Sequence, residues 1–301
     1  MNEITFISKT ETLNLSLDNG SMIRFKDHIF KSKDRSLVTK LIVSKLYKHE
    51  YTVEGVDVIK LVEDLNFNDR QKTFPNLSKE VSIIIPTRFN PENLENCLTS
   101  VVEHTPKGFE LIVIDNEAPQ ESKDILEKYQ KILGKNMAII HNAENHSYAA
   151  SNNQGVAIAT RPYVCYLNDD TIVVPKWLDS MVHIMKTIPE CGMVGKSSFT
   201  KDKKPGDLHQ SVYTDRCNVA FGYCELLKRE DANFDEDFLF AGWEDIDLCE
   251  RIKRQDKEIW VERCFPITHL GRSSVGKIKD IDLIYQKNRA LFERKWKKSY
   301  T

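Results

Sequence analysis

The chain has no G-x-G-x-x-G segment, and its G-x-x-x-x-G-K run, Gly271 to Lys277, is followed by Ile278 rather than the Ser or Thr of a complete P-loop, so the main support for a dinucleotide or P-loop enzyme is absent. It has no C-x-x-C pair either, and its 7 cysteines are an odd count. That argues against zinc or a disulfide framework and for reduced cysteines packed as small core residues. No apolar run approaches the roughly 20 residues needed to span a bilayer, and no charged-then-apolar leader opens the chain. The expected location is therefore cytoplasmic, peripheral at a membrane at most. Charge of one sign is missing as well: 43 basic and 45 acidic residues leave a net charge of -2. Unaided nucleic-acid binding, which needs a basic face, is disfavoured.

What the chain has is enough apolar material for a core, 41% of 301 residues, and two distinct patterns along it. Residues 1–75 read as a small α+β accessory module. Ile4 to Leu17 alternates as strands do, and Ser36 to Tyr47 has the apolar spacing of a helix. The polar stretch from Asn66 to Glu80, broken by Pro75, reads as a linker. From Val81 onward buried β-branched runs alternate with helical segments: Val81 to Ile85 stopped by Pro86, Asn93 to His104, Leu111 to Ile114, Ser122 to Leu133, Met137 to Ile140, Ser151 to Ala159 and Tyr163 to Leu167. Such alternation predicts an α/β fold with a mostly parallel sheet covered on both faces. Ligands of such sheets sit outside the carboxyl ends of the strands, where Thr87, Asp115 and Asp170 fall.

Two acidic clusters stand out. Asn168-Asp169-Asp170 follows the apolar run Tyr163 to Leu167, and oxygen ligands at a strand end suit Mg2+ or Mn2+ held against a phosphate. Trp243-Glu244-Asp245-Ile246-Asp247 lies far downstream at the start of a helical run, where its acids also suit the helix dipole.

The order of these segments resembles the family 2 glycosyltransferases, inverting nucleotide-sugar enzymes with the GT-A fold, from about Val81 to Lys297. Val81 to Thr87 resembles the family's first strand and nucleotide loop, and Asp115 its base-reading aspartate. Asn145 through Gly155, including Asn152 and Asn153, resembles the N-x-G-F-A-x-x-N-N-x-G segment, with Ser147 where glycine is usual. Asn168-Asp169-Asp170 takes the D-x-D position with asparagine first. Phe234 to Phe238 and Ala241 to Arg251 resemble the acceptor-side signature, and Asn288 to Trp296 the C-terminal helix.

The resemblance implies the following roles. Pro86, Thr87, Arg88, Asp115, Asn145, Asn152, Asn153, Asn168 and Asp169 would bind a UDP- or dTDP-linked donor. Asp170 and His269 would hold Mn2+ or Mg2+, with imidazole favouring manganese. Asp245 would be the catalytic base with Glu244 beside it, and Gly222 and Trp243 would face the acceptor. Arg272 in the Gly271 to Gly276 segment would act as a lid, and Asp247 would be structural. Two other readings stand beside this one: a glycoside hydrolase with two carboxylates, and a non-catalytic nucleotide-sugar or carbohydrate-binding protein in which Asn168 marks lost activity. The acceptor stays open among a surface glycan, a lipid-linked glycan, a protein and a modified phage nucleobase. The last is kept because Arg24 to Asp34 resembles short modules of bacteriophage-encoded proteins. Homo-oligomers are compatible with the sequence. The histidines other than His269 read as ordinary surface or core residues, and the basic run from Arg289 to Lys298 as a solvated helix face.

Overall fold

A computed structural model describes the strand residues 4–8, 14–16, 22–24, 29–32 and 51–53, and residues 75–196, 214–263, 265, 267–271 and 280–298. The expected helix over Ser36 to Tyr47, the Arg272 lid, His209, Cys264 and most of the loop from Lys201 to Val219 lie outside the described residues. The chain divides into two compact units, Met1–Thr73 with Lys203–Tyr213 and Phe74–Asp202 with Thr214–Thr301.

In the first unit β1 (Ile4–Ser8) pairs antiparallel with both β4 (Ile29–Ser32) and β5 (Tyr51–Val53). A separate hairpin joins β2 (Asn14–Ser16) to β3 (Met22–Arg24).

The second unit is built on an eight-stranded mixed sheet with the spatial order β12-β14-β11-β13-β9-β6-β7-β8. Its strands are β6 (Val81–Thr87), β7 (Glu110–Asn116), β8 (Met137–Asn142), β9 (Tyr163–Leu167), β11 (Cys191–Gly195), β12 (Thr214–Cys217), β13 (Cys224–Lys228) and β14 (Glu258–Glu262). Helices α1 (Pro91–His104), α2 (Gln120–Leu133), α3 (Tyr148–Ile158), α4 (Trp177–Thr187), α5 (Glu244–Lys253) and α6 (Ile281–Trp296) accompany it. A short ladder pairs β10 (Thr171–Ile172) with β15 (Thr268–His269). Two apolar clusters make up the core: one gathers Ile83, Ile85 and Leu98 with Trp177, the other Ile84, Ile112 and Tyr166 with Leu248. Adjacent residues of β6 thus fall in different clusters, as expected for a strand buried on both faces.

Two expectations change. Pro86 does not stop the first strand, because β6 pairs with β9 only over Val81 to Ile84, while Pro86 lies opposite Ile114 on β7. The missing N–H therefore falls where the β9 ladder has already ended. The expected linker also ends earlier than Glu80. Leu77 and Ser78 are buried, and both their N–H groups donate to Asp179 Oδ1, at 2.8 and 3.0 Å, which ties the segment to the start of α4.

The chain runs β6, β7, β8 to one side of β6 and then returns to its other side as β9. This reversal opens a crevice at the carboxyl ends of β6 and β9, the place where α/β sheets bind ligands.

Candidate active site

Four strand ends line the crevice. At β6, Thr87 Oγ1 donates to Asp169 Oδ2 at 2.7 Å, joining the strand to the loop after β9. Asp169 is buried, and that burial, with the charge of Asp170 adding to it and the Thr87 bond opposing it, pushes its carboxyl up to about 7. At β7, Asp115 is 1% exposed; its Oδ1 accepts from Ala118 N at 2.7 Å, and its Oδ2 meets His141 Nδ1 at 2.7 Å. Asn116 organises the loop beyond β8, donating to Asn145 Oδ1 at 2.7 Å and His146 O at 2.9 Å and accepting from His146 N at 2.9 Å. Arg88 is held by Glu117 at 2.7 Å and lies over the Phe89 ring.

Ser147, where the family motif has glycine, sits in extended backbone at φ -63° and caps α3 by accepting from Ala150 N at 3.1 Å. No left-handed residue is needed there, and serine is a favoured cap. Asn152 and Asn153 both lie on α3. Asn152 is buried and donates to Tyr148 O, whereas Asn153 clamps the acceptor-side segment, bonding Phe234 in both directions and Glu236 at 2.8 Å.

His269 Nε2 stands 3.2 Å from Asp170 Oδ1, although 99 residues separate them in sequence. The ladder between β10 and β15, in which Thr171 faces His269, and the bond from Leu270 N to Asp170 O at 3.0 Å bring them together. Tyr223 stacks on the imidazole with ring centroids 4.4 Å apart and fixes its plane. Two residues before Asp170 in the chain, Asn168 Oδ1 is buried without a hydrogen-bond partner. A carboxylate and an imidazole, with an orphaned amide oxygen two residues away in the chain, form a donor set that fits a divalent cation. No group of three or more His, Cys, Asp or Glu suited to a metal occurs among the described residues, so the remaining coordination positions would fall to a ligand or water.

Asn168 N also donates to Tyr223 O at 3.0 Å, which ties the turn before β13 to the loop that carries Asp170. One residue earlier, Gly222 N donates to Asp245 Oδ2 at 3.2 Å, and a Cβ on Gly222 would come within 3.1 Å of the Asp245 Cβ. Asp245 Oδ1 accepts from Ile246 N at 2.8 Å. The sequence reading missed a third carboxylate: Glu225 on β13 is wholly buried, and neither of its oxygens has a hydrogen-bond partner. Burial and the nearby charges of Asp245 and Glu244 push Glu225 far above the ordinary carboxylate range. Burial and Asp245 do the same to Glu244, and burial raises Asp245.

The loop carrying these acids is strained and held. Trp243 has φ 78° and Phe240 φ 40°, conformations that cost non-glycine residues about 1–3 kcal/mol each. Asn288, buried on α6, offsets this: its amide donates to Leu239 O, Ala241 O and Gly242 O, and its oxygen accepts from Leu239 N at 2.9 Å. Gly242, at φ 90°, lets Tyr285 pass where a Cβ would lie 2.0 Å from its ring. Trp243 packs on Phe292, centroids 5.5 Å apart, under Arg289. The basic residues Arg289, Arg294, Lys295, Lys297 and Lys298 are exposed, as expected of a solvated face, and some of them also reach across to acids of α5. Lys295 and Trp296 both bond Asp247 and Lys298 bonds Glu250, which fastens the end of α6 along α5. Asp247 is buried in that seam, the structural role expected of it.

The described cysteines are all buried and free, and burial pushes the Cys97 and Cys191 thiols up to about 12, which rules them out as nucleophiles at neutral pH. No helix among the described residues is long and apolar enough to cross a membrane.

Comparison with known proteins agrees with this architecture. The family model described as "Glycosyl transferase family 2" matches residues 82–242. Protein CgeD of Bacillus subtilis is 28% identical over 184 residues, 57% of this chain and 43% of its own length. The uncharacterized glycosyltransferase EpsJ of the same organism is 25% identical over 61% of this chain and 60% of its own length. The chain thus spans less than two thirds of the length of these curated relatives. Among solved structures, GalNAc-T7, crystallised with UDP, GalNAc and Mn2+, superposes with a TM-score of 0.55 at 14% identity, covering 73% of this chain and 45% of its own. The mannosyltransferase PcManGT of Pyrobaculum calidifontis, in complex with GDP-Man and Mn2+, gives 0.52 at 15% identity over 80% and 72%. Both are glycosyltransferases, and both likenesses speak to the fold.

Proposed function

The chain belongs to glycosyl transferase family 2 and has the GT-A fold, and from that premise we propose that it moves a sugar from a UDP- or dTDP-linked donor to an acceptor hydroxyl with inversion at the anomeric carbon. The observation that carries this reading is the approach of Asp170 to His269, with Tyr223 stacked on that histidine one residue from the Gly222 that holds Asp245. A candidate diphosphate end and a candidate base thereby share one mouth.

Asp170 and His269 would hold a divalent cation, manganese by preference because imidazole suits it better than magnesium. When bound, such an ion stabilises the charge of the leaving diphosphate as a Lewis acid. That both structural neighbours were solved with Mn2+ and a nucleotide or nucleotide sugar supports this assignment. Asn168 and Asp169 would orient the donor. Asp245 would accept the acceptor's hydroxyl proton as the oxygen bonds to the anomeric carbon from the face opposite the diphosphate. The bond from that carbon to the diphosphate breaks, and its electron pair leaves with the diphosphate. Burial raises the Asp245 carboxyl above the ordinary aspartate range, which makes its carboxylate a stronger acceptor of that proton. The acceptor would be a glycan, a lipid-linked glycan, a protein or a modified nucleobase, entering past Gly222 and the loop before α5. Residues 1–75 would form an accessory module beside the transferase domain.

A non-catalytic nucleotide-sugar-binding role is the second reading, favoured by Asn168 at the first position of the acidic motif. Thermal unfolding with a panel of nucleotide sugars, in Mn2+ and in EDTA, separates these. A donor at a hundredfold excess over its Kd stabilises the fold by about 2.7 kcal/mol. The transferase reading expects a metal-dependent shift with a UDP- or dTDP-sugar and release of the nucleotide on turnover. A shift without turnover supports the binding reading, and no shift with any nucleotide sugar defeats both.

A further inference from the structure

His141, the last residue but one of β8, lies opposite Asp115 in the parallel register of β7 and β8, and its Nδ1 lies 2.7 Å from Asp115 Oδ2. The two members of this pair differ sharply in access. Asp115 is 1% exposed and already accepts from Ala118 N on its other oxygen, whereas the His141 side chain is 59% exposed. A ligand reaching this end of the crevice therefore meets the imidazole rather than the carboxylate. Resting on the family reading above, we propose that His141 is the residue that reads the donor's base, with Asp115 behind it as the group that sets its tautomer.

The chemistry follows from the pair. A carboxylate can only accept, so Nδ1 is the donor, and the tautomer this bond selects carries its lone pair on Nε2, directed away from Asp115. An outward acceptor pairs with a ring N–H. Uracil and thymine offer one at N3 and guanine at N1, whereas cytosine N3 and adenine N1 would oppose lone pair to lone pair. The position also suits a base. Strands about 4.8 Å apart put β8 roughly 14 Å across the sheet from β9 and its Asp170, a span that a nucleoside diphosphate covers. The surrounding loop is fixed by the Asn116 bonds to Asn145, His146 and Asn142, so the imidazole stands on a rigid edge.

The test is calorimetric titration of the full chain in Mn2+ with UDP, GDP, CDP and ADP. The wild type is expected to bind UDP or GDP about tenfold or more tighter than CDP and ADP, the worth of one good hydrogen bond. His141→Ala is expected to lose that preference, its affinity falling about tenfold for the N–H-bearing bases and little for the others. His141→Gln, which retains an acceptor oxygen, is expected to regain part of it. His141 is exposed on an edge strand, so both variants should fold, and their melting temperatures check that. For the wild type itself, the 15N resonance of His141 Nε2 is expected to shift with UDP and stay in place with CDP. A preference unchanged in His141→Ala, or a uniform loss for all four nucleotides, overturns the proposal. Nucleotide binding by the wild type without base preference overturns it while leaving the family reading intact. No nucleotide binding at all overturns both.

Discussion

Asp115 and Asp245 are two enclosed aspartates at one crevice, and they are treated in opposite ways. Asp115 is matched by a backbone N–H on one oxygen and an imidazole on the other. Asp245 receives two backbone N–H groups and stands beside the buried acids Glu244 and Glu225, and burial raises its carboxyl above the ordinary aspartate range. The half of the crevice proposed to hold the donor thus has its aspartate satisfied before any ligand arrives. The other half retains carboxylates whose natural relief is a proton.

The strongest test of this contrast is Asp245→Asn. Loss of a positioned base is expected to lower the transfer rate about 10²–10⁴-fold while UDP affinity stays within about twofold of wild type. Rates within about tenfold of wild type would remove Asp245 from the role. The raised pKa also sets a pH limb: the wild-type rate is expected to fall as pH drops through the Asp245 value, at higher pH than an ordinary aspartate near 3.8 would dictate. Next in size, Asp170→Ala is expected to weaken Mn2+-dependent UDP binding about 10- to 100-fold, read by calorimetry. An affinity indifferent to both the substitution and EDTA would end the metal assignment.

Stability distinguishes the halves too. Glu225 has a raised folded pKa, so the native state keeps a proton that the unfolded chain releases. Its contribution is full below the ordinary value of 4.5 and is lost as pH rises through the raised value. Glu225→Met is therefore expected to stabilise the protein at pH 8 by about 1–3 kcal/mol and to flatten stability against pH, measured by urea unfolding from pH 5 to 8. A destabilised variant would mean that this carboxylate has a partner after all. Asn288→Ala, which frees the strained loop before α5, is expected to lower the transfer rate more than it lowers donor affinity, with a stability loss of about 1–3 kcal/mol. Equal losses in rate and affinity would show that the latch serves the whole site.

The parts of the molecule that were legible in its sequence are those in which local pattern and burial coincide. Ile83-Ile84-Ile85 and Leu111 to Ile114 read as buried strands because both faces are covered, and their ends marked the crevice. Asp170 and His269 were paired only through family resemblance, since nothing local joins two residues held together by the short β10 and β15 ladder. His141 was passed over for a related reason. Its meaning comes from the parallel register with Asp115, which sequence spacing does not contain. Glu225 was hidden by its setting in Cys224-Glu225-Leu226-Leu227, where a lone acid in an apolar strand looks like an outward-facing residue. It is buried because β13 lies between β9 and β11 near the middle of the sheet. The basic run at the end of α6 is exposed as its composition suggested, but its ion partners, which come from α5 and the segment before it, were not visible in the sequence.

The most direct measurement is a titration of UDP into wild type and Asp245→Asn, each in Mn2+ and in EDTA. The account predicts equal affinities for the two proteins in Mn2+ and a common loss in EDTA, because the donor half is complete without the base. Binding that ignores the metal, or that disappears with Asp245, would contradict it.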